Sequence, residues 1–311
     1  MSILVCGSFA YDTIMVFNDH FKNHILPDQV HILNVSFMVP TMRREFGGCA
    51  GNIAYNLKLL GADVMPMGTV GEDFEPYAKW MDLHGIRREF VTVVPGTYTA
   101  QAFITTDMAD NQITAFHPGA MSHAHTNSAG RALGAKLAIV SPDGRDGMLQ
   151  HASDLAELGI PFVFDPGQGL PMFNGEDLVR FLDQASYLAF NDYESRLFQE
   201  RTRLTLKQIS ERVKAVIVTK GGDGSEIHAD GKVYNIPVAK TAKLSDPTGC
   251  GDAYRAGLLH GIVSGMDWET TGRVAALCGA IKVEQHGTQN HSFTPETFAA
   301  RFKENFGYSY G

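Results

Sequence analysis

The sequence predicts an α/β fold: a doubly wound, mainly parallel sheet with a small second sheet lying over it as a lid. Three observations predict it. Apolar runs at 137–140, 162–164, 187–190 and 216–218 recur at α/β spacing, with amphipathic segments between them. Each run is apolar throughout, the pattern of a strand covered on both faces. Each also stops at a polar or glycine-containing turn: Ser141-Pro142-Asp143-Gly144, Asp165-Pro166-Gly167-Gln168, Asn191-Asp192-Tyr193-Glu194 and Thr219-Lys220-Gly221-Gly222-Asp223-Gly224. Open parallel sheets bind ligands at the carboxyl ends of their strands, so these turns mark one crevice.

The elements follow in order. Residues 1–6 are apolar, end at Gly7 and read as a first strand; they have neither the basic region nor the cleavage site of a signal peptide. Segments 30–38 and 90–116 read as strands, the second broken near Pro95-Gly96 and Asp110-Asn111. They place a lid at about 13–46 and 90–117 within a single domain, 1–311. A helix at about 52–60 ends at Gly61. Leu149, Ala152, Leu155 and Ala156 share one face of a later helix that stops at Gly159.

Composition excludes several functions. With 44% hydrophobic and 19% charged residues the chain is an ordinary globular protein, and no stretch approaches the length of a membrane span. A net charge of −8 argues against nucleic-acid binding through a basic face, but not against a nucleotide pocket. The four cysteines, at 6, 49, 250 and 278, lack Cys-x-x-Cys spacing, which suggests reduced thiols and a cytoplasmic location. His117, His123 and His125 have no third ligand at helical spacing, so no zinc site is expected there. The P-loop, the protein-kinase His-Arg-Asp loop, the Gly-x-Ser-x-Gly elbow and a dinucleotide Gly-x-Gly-x-x-Gly after the first strand are all missing.

What carries chemistry is Asp246-Pro247-Thr248-Gly249-Cys250-Gly251-Asp252, followed directly by an apolar helix. Such a turn aims several backbone N–H groups into one space, and the helix N-terminus adds partial positive charge. Gly249 and Gly251 let a ligand come close to the backbone. The cradle suits a phosphoryl group in transfer, with Asp252 at its lip to accept a proton from the attacking hydroxyl. The plain alternative is a turn with Asp252 as a helix N-cap. Nearer the N-terminus, Asp12 follows the first strand and Gly47-Gly48-Cys49-Ala50-Gly51-Asn52 precedes a helix. A carboxylate can accept from both hydroxyls of a sugar diol, paired glycines admit the ring, and an Asn both donates and accepts. Taken singly, Asp12 reads equally as a solvated turn residue and Gly47-Gly48 as a tight turn.

In combination, Gly-Gly-x-x-x-Asn at 47–52, Asn-x-x-Glu at 191–194 and Asp-x-Thr-Gly-x-Gly-Asp at 246–252 resemble the PfkB-type carbohydrate kinases, the ribokinase-like family. The resemblance runs over essentially the whole chain. It implies a ribokinase-like fold that transfers the ATP γ-phosphoryl group to a sugar hydroxymethyl group. By that resemblance Asp252 is the catalytic base and the amides of Gly249, Cys250 and Gly251 are the anion hole. Asp12, Gly47, Gly48 and Asn52 touch the substrate. Asn191 and Glu194 organise Mg2+ and phosphates, with Glu194 acting through water. Thr219, Lys220, Gly221, Gly222, Asp223 and Gly224 form the ATP loop, and residues 275–283 flank the adenine. Asp246 and Thr248 occupy positions that in some members bind a monovalent cation such as K+.

Departures from the family pattern sharpen the reading. Cys49 stands where ribokinases have a lysine, and Asp165-Pro166-Gly167-Gln168-Gly169 replaces a common Asp-x-Asn-x-Arg. Arg255, one helical turn beyond Asp252, faces either the phosphate or solvent. With Pro27-Asp28-Gln29 and 111–116, these features look closest to prokaryotic nucleoside kinases of the family. Gln29 and Gln112 then hydrogen-bond a base edge, and Phe37 or Phe116 stacks on it, unless both rings are lid core. The expected function is an ATP- and Mg2+-dependent kinase acting on the 5′-hydroxyl of an adenosine- or inosine-type ribonucleoside, as monomer or homodimer. The alternatives are a sugar kinase for ribose or fructose and, in another class, a non-catalytic nucleoside or nucleotide sensor.

Overall fold

The computed structural model describes residues 2–25, 34–109 and 111–310. The chain opens with β1 (Ser2–Cys6), β2 (Ala10–Val16), β3 (Thr41–Gly47), α1 (Cys49–Leu59), β4 (Asp63–Val70), α2 (Glu75–Leu83), β5 (Phe90–Val93), β6 (Ala100–Thr106) and β7 (Gln112–His117). The α/β repeat then runs β8 (Leu137–Val140), α3 (Arg145–Glu157), β9 (Phe162–Phe164), α4 (Gly175–Gln184), β10 (Tyr187–Asn191), α5 (Asp192–Thr202), α6 (Leu206–Ser210) and β11 (Ala215–Thr219). A hairpin of β12 (Ser225–Ala229) and β13 (Lys232–Ile236) follows, then α7 (Cys250–Val263), α8 (Trp268–Val283) and α9 (Pro295–Phe306).

Nine strands form one sheet in the order β13-β12-β11-β10-β9-β8-β1-β4-β5. All pairings from β11 to β5 are parallel, and β12 and β13 close one edge antiparallel. Successive side chains of a strand point to opposite faces, so each apolar run feeds two layers. Ile3, Val5, Ile139, Val163, Ala189 and Ile217 pack with side chains of α1, α2, α7 and α8. Leu4, Cys6, Ala138, Val140, Phe162, Phe164, Leu188 and Phe190 pack with those of α3 to α6. Strand order reverses at β1, which pairs with β4 on one side and β8 on the other.

A second sheet has the order β3-β2-β6-β7, with β2 and β6 parallel and the outer pairs antiparallel. Its strands differ from those expected. Of the segment 30–38, residues 34–38 carry no strand, and residues 30–33 lie outside the described residues. Phe37 is instead fixed by ring packing on Phe17 and Phe21, at centroid distances of 4.8 and 5.1 Å. Phe90 through Val93 pair with β4 and belong to the large sheet; Gly96, at φ 71°, turns the chain away from it before β6. Helix α1 begins at Cys49 because Gly48, at φ 86°, serves as its cap residue. In α3 the buried face is Met148, Ala152 and Leu155, and Ala156 is exposed. Among the described residues, no helix is long and apolar enough to cross a membrane.

Candidate active site

Helix α7 starts where the sequence places its anion turn. Gly249 caps it in the left-handed region at φ 79°, which disfavours any side chain, and a Cβ there would also press on Thr288 at 3.0 Å. A Cβ on Gly251 would meet nothing within 4 Å, so the start of α7 borders open space there, while the Cys250 N–H, expected in the anion hole, donates to the Pro247 carbonyl at 3.1 Å. Asp252 is therefore not the N-cap; it is the third residue of the helix, and its carboxylate is held from elsewhere.

Asn52 of α1 holds it, its Nδ2 donating to Asp252 Oδ2 at 2.8 Å. The Asn52 Oδ1 accepts from Gln289 Nε2 at 3.0 Å, and Gln289 Oε1 accepts from the Trp80 indole at 2.9 Å. An indole N–H can only donate, so it fixes which end of the Gln289 amide faces Asn52, and hence which end of Asn52 faces the carboxylate. The second Gln289 hydrogen goes to the Tyr77 hydroxyl at 2.6 Å, and that hydroxyl donates to the Gly47 carbonyl at 2.9 Å. Gly51 has to be glycine here, because a Cβ would fall 1.9 Å from the Tyr77 oxygen. Asn52, expected at the substrate, gives one hydrogen of its amide to Asp252. Burial and the negative charge of Asp165 push the Asp252 carboxyl up to about 6, against the Asn52 amide and Arg255. The Cys49 thiol lies beside it and is pushed well up by burial and by Asp252.

Arg255 does not face solvent. Its Nε and Nη2 bind the two oxygens of Asp165 at 3.0 and 3.1 Å in a buried bidentate pair. Its Nη1 is also buried and donates to nothing among the described residues. Asn191 caps α5 by accepting from the Glu194 N–H, while Glu194 Oε2 accepts from the Asn191 N–H, each at 2.7 Å. Burial and Asp165 push the Glu194 carboxyl up. Two carboxylates and one guanidinium thus share the floor of the crevice.

Beyond Gly251 opens a cavity of about 390 Å³ lined by Thr219, Gly221, Gly222, Gly224, Tyr254 and Gly279, among others. A Cβ on Gly221 or Gly222 would meet open space. Ala276, Ala280 and Val283 line the wall of α8, within the segment expected beside an adenine. Lys220 and Asp223 do not line it: Lys220 is paired with Glu226, and Asp223 sits in an exposed turn.

On the other side, Asp12 of β2 lies against Gly47, where a Cβ would come 2.7 Å from its Oδ2. Gly48 closes on the 8–10 backbone, where a Cβ would come within 2.5 Å of the Ser8 carbonyl. Burial, then Glu45 and Asp246, push the Asp12 carboxyl up to about 6. Strand register puts Glu45, Asp12, Ala102 and Phe116 in one row, and Gln112 four residues along the same face of β7. Phe116 is 52% exposed, so it is not lid core. Gln29 lies outside the described residues. Asp246 has both carboxylate oxygens occupied, by the N–H groups of Thr248 and Gly287 at 2.9 Å each. Sequence reasoning missed Gln289, Tyr77, Trp80 and the Asp165–Arg255 pair. They join segments up to 237 residues apart, and no local motif signals them.

The profile described as pfkB family carbohydrate kinase matches residues 12–296, and the chain belongs to this family of phosphotransferases acting on an alcohol group. It is similar to the nucleoside kinase of Methanocaldococcus jannaschii, 32% identical over 277 residues that cover 88% of this chain and 90% of that one. Among solved structures it is similar to Burkholderia thailandensis nucleoside kinase in complex with inosine, with a TM-score of 0.90, 52% identity and 99% of both chains covered. The ADP-inosine complex of that enzyme gives a TM-score of 0.88 and 54% identity, covering 99% of this chain and 97% of that one.

Proposed function

We propose that this chain is an ATP-dependent nucleoside kinase, moving the γ-phosphoryl group to the 5′-hydroxyl of an inosine- or adenosine-type ribonucleoside. The observation that carries this is the position of Asp252 between two compartments. The large cavity ends at Gly251, one residue before it, while its partner Asn52 sits on the helix whose entry turn packs against Asp12. The similarity to an enzyme whose structures hold inosine and ADP-inosine supports the choice of acceptor.

In this reading ATP lies along the 219–224 turn and α8, and the nucleoside lies under the second sheet with its ribose diol on Asp12. Asp252 accepts the proton of the attacking hydroxyl, at a carboxyl poised near neutrality by burial. The amides at the start of α7 and the free Nη1 of Arg255 receive the charge that spreads over the transferred group. Asp165 orients Arg255, and Asn52 orients Asp252.

Asn191 and Glu194 would organise an Mg2+ ion arriving with the ATP phosphates, and that ion would supply neutralisation of phosphate charge. Glu194 suits an outer contact to it, since one carboxylate oxygen is pinned by Asn191 while burial and Asp165 disfavour its negative charge. No group of three or more His, Cys, Asp or Glu side chains gathers as a cage among the described residues.

A coupled ADP-release assay over adenosine, inosine, guanosine, cytidine, ribose and fructose tests the proposal. Turnover of a purine ribonucleoside well above ribose is expected. Ribose or fructose matching the nucleosides would make it a sugar kinase, and binding without turnover would make it a sensor.

A further inference from the structure

Lys282, next to last in α8, is 0% exposed. Its Nζ donates to the carbonyl of Asp246 at 2.8 Å and to that of Gln285 at 3.2 Å. The ammonium thus joins the turn before the anion cradle to the loop after α8. The same two segments are stitched by the Asp246 carboxylate, which accepts from Thr248 and Gly287, and by the N–H groups of Ser245 and Asp246 on the Val283 carbonyl. Two carbonyl oxygens converging beside a carboxylate are the surroundings a desolvated monovalent cation takes. Here the position between them holds the chain's own cation.

We infer that the Lys282 ammonium stands in for a monovalent metal ion, so that this enzyme runs without K+. The resemblance to cation-binding relatives implies such an ion at Asp246 and Thr248; here the Asp246 carbonyl accepts from the Lys282 ammonium and both its carboxylate oxygens accept from N–H groups, so a metal ion would have to displace the ammonium. A tethered charge serves the same purpose in a different way. It fixes the turn that carries Gly249 and Gly251, and it places positive charge behind the first turn of α7, close enough to lower the Cys250 thiol against its burial. An ion recruited from solution does this only when bound; Lys282 does it permanently.

The inference rests on the proposed kinase activity only for its kinetic arm; two other readouts need no substrate. Equilibrium dialysis of the intact protein against 86Rb+ should find no site displaced by K+. Its kcat should change less than about twofold when K+ replaces tetramethylammonium at constant ionic strength. Lys282→Met removes the charge and leaves the carbonyls. In tetramethylammonium it should lose roughly ten- to a hundredfold in kcat, the scale of losing a charge near an anion hole. K+ should then restore part of the loss and raise the variant's Tm, while the Tm of the wild type stays unchanged. One exchangeable Rb+ per wild-type chain, or more than fivefold activation of the wild type by K+, would overturn the inference. So would a folded Lys282→Met protein that matches wild type in both kcat and Tm without K+. If Lys282→Met does not fold, the dialysis and wild-type salt measurements decide alone.

Discussion

The nucleotide wall of the crevice is made of backbone, whereas the second sheet offers side chains. Gly221, Gly222 and Gly251 border open space, the last of them in the first turn of α7, so little has to move when phosphates arrive. On the second sheet, all of β7 from Gln112 to His117 is exposed, and the Asp12 carboxyl is held up near 6 by burial and like charges. The first wall is preorganised; in the proposed function the second is a set of groups that a nucleoside completes. Substitutions in the first should therefore damage the chemistry, and those in the second should alter the choice of acceptor.

The largest effect tests the first wall. Asp252→Asn keeps shape and the Asn52 contact, so nucleoside and ATP binding should persist while kcat falls roughly 10²–10⁴-fold. A variant within threefold of wild type would remove Asp252 from the role of base. Next comes Arg255→Met, which strands Asp165 in a buried site. Losing one partner of such a pair costs about 3–5 kcal/mol, read as a lowered denaturation midpoint together with reduced kcat. Unchanged stability would mean that Asp165 finds solvent.

The contrast between the walls is sharpest at Asp12. Asp12→Ala should cost ribonucleosides about ten- to a hundredfold in kcat/KM and flatten the preference for adenosine over 2′-deoxyadenosine. A variant that still prefers the ribo form would take Asp12 out of the diol site. The same variant separates two titrations. Both Asp252 and Asp12 carry carboxyls raised to about 6, and both act as carboxylates, so kcat/KM should be flat above pH 6 and fall as pH drops below it. Two groups give a limb of slope two and Asp12→Ala a limb of slope one, in a log kcat/KM against pH profile. A wild-type slope of one would leave a single carboxylate controlling the rate. Smallest is Lys220→Met: its charge serves Glu226 and not the cavity, so KM for ATP should shift less than about threefold.

These walls also differ in how far the sequence discloses them. Glycine positions, the start of α7 and the 219–224 turn are local, since φ, chain direction and helix ends are settled by neighbouring residues, and the motif at 246–252 carries them in order. Roles set by distant partners were not legible. The sequence shows Asn52 as a substrate ligand but not its contact to Asp252, which depends on Gln289, itself oriented by Trp80, donating to the Asn52 Oδ1. Phe37 looks like a stacking ring until Phe17 and Phe21 enclose it. Lys282 sits in an apolar helix with no motif around it, and the carbonyls that define it come from two other segments. The strands of the second sheet were displaced for a related reason: β2 runs on from the β1 turn without a break signal, and pairing with β6 some 90 residues later settles its extent.

The donor-only indole that ends the chain of amides behind Asp252 has an optical consequence. The protein has two tryptophans. Trp268 packs edge-on to Tyr187 at the start of α8, whereas Trp80 is three hydrogen bonds from the proposed base. Charge gained or lost at the Asp252 carboxylate alters the polarisation of that chain and so the field across the Trp80 ring. Emission from Trp80, isolated by Trp268→Phe, should thus report on events at the Asp252 carboxylate, with no label attached.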